Sequence, residues 1–486
     1  MLWTDIVTIA PVIAAVGVAS AILLVDLAAP GRARLALAVA LGGLALVALL
    51  VLATGTGRAA AFDGAYRVDG LTTFLHLLFL AIAALTIVVA PDYLEPRDLP
   101  VAEFAAVLVF AISGAMLIAG STDLLVLFLA LELMVLPGYL LAGFAKRDAL
   151  ATEGAIKYFL LGSFSSAIFL FGLAFTWGLT GTTRMAGVAE ALATLVAGGG
   201  IAPGLAMGLA FMSTGVAFKI AAVPFHYWTP DAYQGSPTPV TGYLSVGPKV
   251  GAFAIVLRLF VEALGPLRAD WLGVIAVLAV LTMSLGNLVA LTQTNVKRML
   301  AYSSIAHTGY ILVGLAAYGA GRVEGLEGVL YYSAAYTFMN LGAFAVVAAL
   351  QRRPGVTSAL ETFAGLGRRE PWLGVLMTLF LISLTGIPPT AGFFAKAYVI
   401  LAAVQAGGAI AWLAVIAVLN AAAAAFYYLR VVVYMYMREP AAEIVPLRHG
   451  RLLWTGLAVA GALTVVLGLL PGPILDSVRE AARALL

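Results

Sequence analysis

Residues 203–228 read PGLAMGLAFMSTGVAFKIAAVPFHYW, a run with one charged residue that is long enough to cross a lipid bilayer. The hydrocarbon core is about 30 Å thick and a helix rises about 1.5 Å per residue, so one crossing needs about 20 apolar residues. Lys219 places a charge inside this run, and Pro224 removes a backbone hydrogen bond a little further on. The run therefore predicts a membrane-spanning helix that is interrupted beside a lysine.

The rest of the chain repeats this apolar pattern, and the composition agrees with it. Hydrophobic residues make up 63% of the 486 residues and charged residues 10%, with a mean hydropathy of +1.05. Soluble domains have about 45–50% apolar and about 25% charged residues, so a soluble globule is excluded. Because the runs are long and do not alternate as barrel strands do, we predict an all-α polytopic membrane protein with about 14 transmembrane helices. The predicted spans are 5–27, 34–54, 71–90, 102–120, 122–144, 153–178, 203–228, 239–262, 271–292, 299–319, 326–350, 372–403, 409–437 and 452–470.

The loops indicate how the chain is oriented. Loops after odd-numbered spans hold 14 Lys and Arg residues, whereas the remaining loops hold 7. The positive-inside rule then predicts that the odd loops are cytoplasmic and that both termini lie on the outer side. The first residues lack the basic region of a cleaved signal peptide, so we expect the first span to stay as a membrane anchor.

Several classes of site are disfavoured by the composition. Cysteine is absent, which excludes thiolate-held iron–sulfur clusters, disulfides and a thiol nucleophile. The four histidines are scattered, so metal ligation has little support. The net charge of +3 is spread along the chain, which gives no indication of nucleic-acid binding.

Six cations lie inside predicted spans, namely Lys157, Lys219, Lys249, Arg258, Lys396 and Arg430. Arg258 and Arg430 are near span ends, where snorkelling to the interface is the simplest interpretation, and Lys157 is compatible with snorkelling or with function. Lys219, Lys249 and Lys396 are deeper. A charge at the bilayer centre costs at least about 2.5–3.5 kcal/mol, so such lysines are expected to face a bundle interior or a water-filled path.

The deepest acidic residue is Glu132, in the middle of the fifth predicted span with no cation within four residues. It is either one partner in a structural Glu–Lys pair between helices or a proton carrier, because burial disfavours the charged forms of both groups. His226 and His307 add groups that titrate near neutrality. His307 lies in a polar stretch, 302–309, that could hold a water chain, although a buried histidine with satisfied hydrogen bonds is the alternative.

A second interruption is predicted in the run 384–396, which reads LTGIPPTAGFFAK and ends in Lys396. Paired broken helices in corresponding positions of two halves indicate an ion site. The two breaks are five spans apart, so we predict two inverted five-helix repeats, spans 4–8 (101–265) and spans 9–13 (266–440). They would follow an N-terminal three-helix segment (1–100) and precede a C-terminal helix (441–486).

The stretch 217–239, AFKIAAVPFHYWTPDAYQGSPTP, resembles the hallmark of the antiporter-like proton-translocating subunits of respiratory complex I, the NADH:quinone oxidoreductase. The resemblance extends over nearly the whole chain and includes Glu132 in LEL, Lys249 in GPK, 295–307 (NVKRMLAYSSIAH) and 383–394 (SLTGIPPTAGFF). Among the three related types in bacteria, Lys396 and the chain length resemble the N type.

The resemblance implies a function and a set of roles. Glu132 would modulate Lys219, Lys249 would connect the two halves, and Lys396 would lie in the second half-channel. With His307 from the residue analysis, the predicted proton relay comprises Glu132, Lys157, Lys219, His226, Lys249, His307 and Lys396. No cofactor is expected in this subunit; NADH, flavin, iron–sulfur clusters and quinone would belong to partner subunits. The expected partners are other membrane subunits of complex I, including related antiporter-like subunits, and the lipid of a bacterial inner membrane.

Three alternatives remain open. The chain could be a subunit of a cation/proton antiporter, or of a membrane-bound hydrogenase of the same superfamily. It could also be a structural scaffold in which the buried charges only hold helices together.

Overall fold

The computed structural model describes residues 2–55, 59–439 and 448–486. Within these ranges the chain forms twenty α-helices and one small β-hairpin. The helices are α1 (Leu2–Ala28), α2 (Ala33–Thr54), α3 (Gly70–Val89), α4 (Pro91–Leu94), α5 (Val101–Gly120), α6 (Leu124–Ala142), α7 (Ala149–Thr180), α8 (Met185–Ala197), α9 (Pro203–Lys219), α10 (Trp228–Gly235), α11 (Thr238–Leu257), α12 (Arg268–Ala290), α13 (Val296–Gly319), α14 (Glu324–Leu350), α15 (Leu366–Arg369), α16 (Pro371–Thr385), α17 (Ala391–Ala406), α18 (Ala411–Met437), α19 (Arg451–Leu469) and α20 (Gly472–Arg483).

These helices confirm the predicted all-α polytopic membrane fold. In the described ranges, twelve helical segments are long and apolar enough to cross a membrane. Of the two other predicted spans, 203–228 consists of α9 and the break that follows it, and 372–403 is divided into α16 and α17. Each of the fourteen apolar stretches coincides with one of these continuous or divided crossings.

Some short elements were not predicted from the sequence. Strands β1 (Ala59–Ala61) and β2 (Tyr66–Val68) pair antiparallel in the connection between α2 and α3. Helix α8 has 13 residues and is too short to cross a bilayer. Helix α20 packs against α3 and α14 after the last crossing. Their apolar runs are shorter than a membrane span, so a search for spans does not detect them.

The polar interior of the protein lies around α11, α13 and α14. In an 18-residue apolar segment of α11 and in one of α14, every residue is buried, and in that of α13 94% of the residues are buried. In α1 and α2 the corresponding share is 33%. The central helices hold the lysine, histidine and tyrosine residues described below. The outer helices expose leucine, valine and phenylalanine, as a surface against lipid requires.

The structure confirms both predicted breaks. Helix α9 ends at Lys219, and the backbone beyond it is held by other helices: Thr308 Oγ1 donates to the carbonyl oxygen of Ile220 (2.8 Å), and the amide of Val223 donates to Thr282 Oγ1 (3.0 Å). Helix α16 ends at Thr385, where Gly386 has a φ of 93° that favours glycine. Neighbouring helices therefore bond to the irregular backbone of the first break, as membrane depth requires. At the second break, residues 387–389 are exposed on the surface of the protein.

Arg258 corrects one prediction from the sequence. It does not snorkel to the interface but is completely buried, with Nη2 2.9 Å from Asp69 Oδ2 and Nη1 2.5 Å from Glu262 Oε1. It lies in a π-helical turn that continues α11. The two carboxylates compensate its charge inside the protein, so it has no need to reach solvent.

The division into two inverted repeats stays a prediction. The predicted boundary between the second repeat and the C-terminal helix, at residues 440 and 441, lies outside the described residues. Arg58, one of the cations counted for orientation, also lies outside them.

Candidate functional site

Lys219 is buried at the C-terminal end of α9, with 6% of its surface exposed. Its Nζ donates to Ser166 Oγ (3.0 Å) and to the carbonyl oxygen of Gly162 (3.2 Å), both on α7, and lies 3.5 Å from Tyr139 Oη on α6. A side chain at position 162 would collide with the Tyr139 hydroxyl, so glycine is needed for this contact. The lysine is thus held by neutral oxygen atoms and not by a carboxylate.

Glu132 lies on α6 and is partly exposed on the outside of that helix. Its Oε1 is buried without a hydrogen-bond partner, and no carboxylate–ammonium contact within 4.0 Å joins it to Lys219 in the described residues. It is still close enough for its charge to act on Lys219. The direct Glu–Lys pair of the scaffold interpretation is therefore not formed.

Lys157 and Asp231 form an ion-pair cluster at the start of α7. Lys157 Nζ lies 2.7 Å from Asp231 Oδ2 and 2.6 Å from Glu153 Oε1, and Arg298 Nη1 lies 2.7 Å from Asp231 Oδ1. Burial alone would raise the pKa of Asp231, but the hydrogen bonds from Lys157 and Arg298 outweigh it and hold the pKa below its usual range. Asp231, which the residue analysis did not single out, thus joins α7, α10 and α13.

His226 lies in the chain between α9 and α10 and is buried, with 6% of its surface exposed. Its ring stacks on Tyr227 at a centroid distance of 4.7 Å, and its Nδ1 has no hydrogen-bond partner. No side-chain hydrogen bond joins it to another predicted relay residue in the described part of the chain. A water molecule could satisfy such an unpaired nitrogen.

Lys249 connects α11 to α13. Only 3% of its surface is exposed, and its Nζ donates to the carbonyl oxygen of Ser304 (2.6 Å) and to Ser304 Oγ (2.5 Å). The same Nζ lies 5.7 Å from the centre of the Tyr336 ring, which packs 4.9 Å from the His307 ring. Lys249 therefore reaches the polar stretch of α13 that the sequence indicated.

His307 is held by two tyrosine hydroxyls. Its Nδ1 lies 2.7 Å from Tyr332 Oη on α14, and its Nε2 lies 3.2 Å from Tyr428 Oη on α18. Tyr428 also contacts Ser303 Oγ. A neutral imidazole has one donor and one acceptor nitrogen, so the two hydroxyls let it take or release a proton on either side.

Lys396 lies beside the second break, with 4% of its surface exposed. Its Nζ donates to the carbonyl oxygens of Leu384 (2.9 Å) and Thr385 (2.8 Å), the last residues of α16, and lies 4.7 Å from the centre of the Tyr310 ring. His307 is within electrostatic reach of both Lys396 and Lys249. Lys249, His307 and Lys396 thus form one buried group around α13.

The chain matches the family described as "NADH:quinone oxidoreductase/Mrp antiporter, TM" over residues 121–421. NADH-quinone oxidoreductase subunit N 2 of Roseiflexus castenholzii is 44% identical over 471 residues, which cover 96% of this chain and 94% of the relative. The chain belongs to the family of NADH-quinone oxidoreductase subunit N.

Solved structures agree with this family. A chain of respiratory complex I from Thermus thermophilus with bound aureothin is 32% identical, has a TM-score of 0.77, and is matched over 96% of this chain and 98% of that chain. A chain of the Mrp complex from Dietzia sp. DQ12-45-1b matches over 100% of this chain and 98% of that chain with a TM-score of 0.83, but at 22% identity the likeness shows the fold alone.

Sequence reasoning on this subunit N family member missed the uncharged partners of the lysines and of His307. These are Tyr139, Ser166, Tyr310, Tyr332, Tyr336 and Tyr428. The only signal was tyrosine at positions 332 and 336, one helical turn apart in a helix that also holds Ser333, Thr337 and Asn340. No group of three or more metal-ligating side chains occurs among the described residues.

Proposed function

We propose that the protein is a proton-translocating membrane-arm subunit of an NADH:quinone oxidoreductase, whose electron transfer takes place in partner subunits. One observation carries the proposal: three lysines, Lys219, Lys249 and Lys396, are at least 94% buried, and no ion pair to a carboxylate compensates them among the described residues. Burial of an uncompensated ammonium group disfavours its charged form. A lysine in this environment can lose and regain a proton, whereas a lysine that only held helices together would need a carboxylate as its partner.

The proposed relay runs along Lys219, Lys249, Ser304, His307 and Lys396. The Ser304 hydroxyl and the tyrosine hydroxyls around His307 supply hydrogen-bonding atoms between the titratable groups. The unpaired atoms Glu132 Oε1 and His226 Nδ1 provide further sites for water. Lys157 and His226 would serve the cytoplasmic entrance, because Lys157 is partly exposed next to Asp231.

Glu132 would couple the relay to a neighbouring subunit. It is partly exposed on the outer face of α6, next to the exposed side chains of Leu129 and Leu136, and its charge acts on Lys219. A charge that approaches Glu132 from outside would therefore change how well Lys219 holds its proton. Moving one charge across 100 mV takes about 2.3 kcal/mol, which a modest rearrangement of charges in a low dielectric can supply.

The assembly follows from the same proposal. The partners are other membrane subunits of complex I, including related antiporter-like subunits, and they would hold the NADH, flavin, iron–sulfur and quinone sites. The complex would lie in the bacterial inner membrane with both termini of this subunit on the periplasmic side, as the excess of Lys and Arg in the odd loops indicates.

The test is Lys219→Ala in the assembled complex, with the exposed Lys146→Ala as the matched control. Proton pumping and NADH oxidation are measured in the same proteoliposomes, and assembly is checked by native electrophoresis. We expect pumping to fall with Lys219→Ala and to stay at the wild-type level with Lys146→Ala. Normal pumping by an assembled Lys219→Ala complex would reject the relay.

Mass spectrometry of the intact detergent-solubilised complex distinguishes the alternatives. Co-purification with flavin- and iron–sulfur-binding subunits that oxidise NADH supports the proposal. Co-purification only with other antiporter subunits would favour a cation/proton antiporter, and co-purification with hydrogenase subunits would favour a membrane-bound hydrogenase.

A further inference from the structure

The amide side chain of Asn287 on α12 is fully buried near Lys396 and His307, which form the second half of the relay. Its Nδ2 donates to Tyr310 Oη (3.2 Å) and to Asn420 Oδ1 (3.1 Å), and its Oδ1 accepts from Tyr427 Oη (3.0 Å). Asn287 therefore joins α12, α13 and α18 through one side chain. It carries no charge, and neither the sequence analysis nor the proposed relay uses it.

The direction of these hydrogen bonds is fixed by the backbone. Asn420 Nδ2 donates to the carbonyl oxygen of Ile416 (3.0 Å), which can only accept, so Asn420 must present its oxygen to Asn287. Asn287 must then present its Nδ2 to Asn420 and Tyr310 and its Oδ1 to Tyr427. As a result Tyr310 Oη accepts from the amide, and the hydroxyl proton of Tyr310 is available for donation to an acceptor other than Asn287.

The two tyrosines held by Asn287 adjoin the two titratable groups of this half. The Tyr310 ring lies 4.7 Å from Lys396 Nζ, and the Tyr427 ring lies 4.4 Å from that of Tyr428, whose hydroxyl binds His307. Tyr310 also packs edge-on against the His307 ring at 5.9 Å. One amide thus sets the position of the aromatic groups around both Lys396 and His307.

We propose that Asn287 is a positioning residue of the second half-channel, which acts on Lys396 and His307 through Tyr310 and Tyr427. It holds both tyrosines in place and fixes their roles toward the amide: Tyr427 Oη donates to it and Tyr310 Oη accepts from it. This inference rests on the proposed function, since it assigns a role within the same relay. It is carried by hydrogen-bond geometry between uncharged groups.

Substitutions at Asn287 separate positioning from simple packing. Asn287→Leu keeps the volume similar but leaves the hydroxyls of Tyr310 and Tyr427 without this partner. Asn287→Asp keeps the shape, can only accept from both tyrosines when ionised, and adds an anion that favours the charged form of Lys396. The titratable groups that face this region in the described residues are Lys396 on α17, Tyr310 and His307 on α13, Tyr332 and Tyr336 on α14, Tyr427 and Tyr428 on α18, and, through His307, Lys249 on α11.

The experiment measures the pH profile of proton pumping in proteoliposomes that contain the assembled complex. With Asn287→Leu we expect pumping to fall several-fold without a shift of the profile. With Asn287→Asp we expect the alkaline limb to move to higher pH, by up to about one unit, as an added opposite charge nearby requires. Thr86→Val is the control, because Thr86 on α3 is also buried but its Oγ1 donates only to the carbonyl oxygen of Ile82 in its own helix (2.8 Å), and we expect a nearly wild-type profile.

Two further outcomes decide the inference. If Asn287 acts through Tyr310, the double variant Asn287→Leu/Tyr310→Phe should pump no worse than the more impaired single variant. If Asn287→Asp and Asn287→Leu give the same profile as Thr86→Val, the amide is only structural and the inference is overturned. That result would leave the proposed function intact as long as Lys219→Ala still abolishes pumping, so the two failures are distinguishable.

Discussion

The ammonium group of Lys249 lies 2.6 Å from the carbonyl oxygen of Ser304, one helical turn before His307 on the same helix. This contact joins α11, the last span of the first predicted repeat, to α13, which lies in the second. A charged lysine at this depth could have been held by a carboxylate, but here it is held by the backbone and hydroxyl oxygens of a serine. The two halves of the chain therefore meet at a group that can release its proton without leaving a counter-charge unpaired.

Arg258→Met is expected to destabilise the protein strongly. Arg258 is completely buried beside Asp69 and Glu262, and removal of one member of a buried ion pair typically costs about 3–5 kcal/mol. We expect a loss near the lower end of this range, because Arg67 still contacts both carboxylates. The measurement is the thermal midpoint of the solubilised complex, with the exposed Arg322→Met as control. The double variant Arg258→Met/Asp69→Asn should recover most of the loss, and a single variant as stable as the control would contradict the ion-pair interpretation.

The Arg258–Asp69 ion pair makes the stability of the protein depend on pH. Burial alone would raise the pKa of Asp69, but Arg258, the amide of Thr72 and Arg67 outweigh it and hold the pKa below its usual range. The stabilisation by the ionised carboxylate is therefore present above the ordinary carboxyl pKa of about 3.9 and is lost as the pH falls through the lower folded-state value. The difference in thermal midpoint between wild type and Arg258→Met should narrow below about pH 4; a difference that stays constant to lower pH would count against this cause.

Asp231→Asn should have a much smaller effect on stability than Arg258→Met. The side chains of Lys157 and Arg298 are 43% and 31% exposed, and ion pairs that water can reach contribute little. The small loss should shrink further in high salt, because added ions screen exposed charges. Thermal midpoints of Asp231→Asn and wild type at low and high salt test this, and a large, salt-independent loss would mean that the cluster is more deeply buried in the assembled complex.

His307→Phe is expected to lower pumping by about a hundredfold, the low end of what loss of a proton-transfer group costs. Tyr332→Phe should have a milder effect, because His307 keeps its bond to Tyr428. His76→Phe is a matched control: His76 is also buried, and its Nε2 bonds to the carbonyl oxygen of Met116 at 2.8 Å, away from the relay. Equal pumping by the His307→Phe and His76→Phe complexes would remove His307 from the relay.

The membrane spans were predictable because each depends on local composition. The apolar runs predicted fourteen crossings, and the prolines at 224, 388 and 389 predicted the two breaks that the structure contains. The depth of Lys219, Lys249 and Lys396 followed from their positions within those runs. In each of these cases the information lies within about twenty consecutive residues.

The partners of these residues were not predictable, because they come from distant parts of the chain. Arg258 was expected to snorkel because it lies near the end of a predicted span. Its partner Glu262 is on the next helical turn, but its other partner, Asp69, is 189 positions away. Ser304 is 55 positions from Lys249, and Tyr428 is 121 positions from His307. The amide of Asn287 carries no charge, so its position inside a predicted span gave no signal of a functional role. That role depends on the direction of hydrogen bonds that only the packed helices define.

The proposed relay depends on a proton that passes through Lys249 between the two halves of this subunit. The most direct measurement is proton pumping by proteoliposomes that contain the assembled complex with Lys249→Met, with NADH oxidation recorded in the same preparation. Methionine fills a similar volume and removes the cost of burying an ammonium group, so we expect assembly and thermal stability to be kept while pumping is largely lost. An assembled Lys249→Met complex that pumps at the wild-type rate would show that the proton does not pass through Lys249.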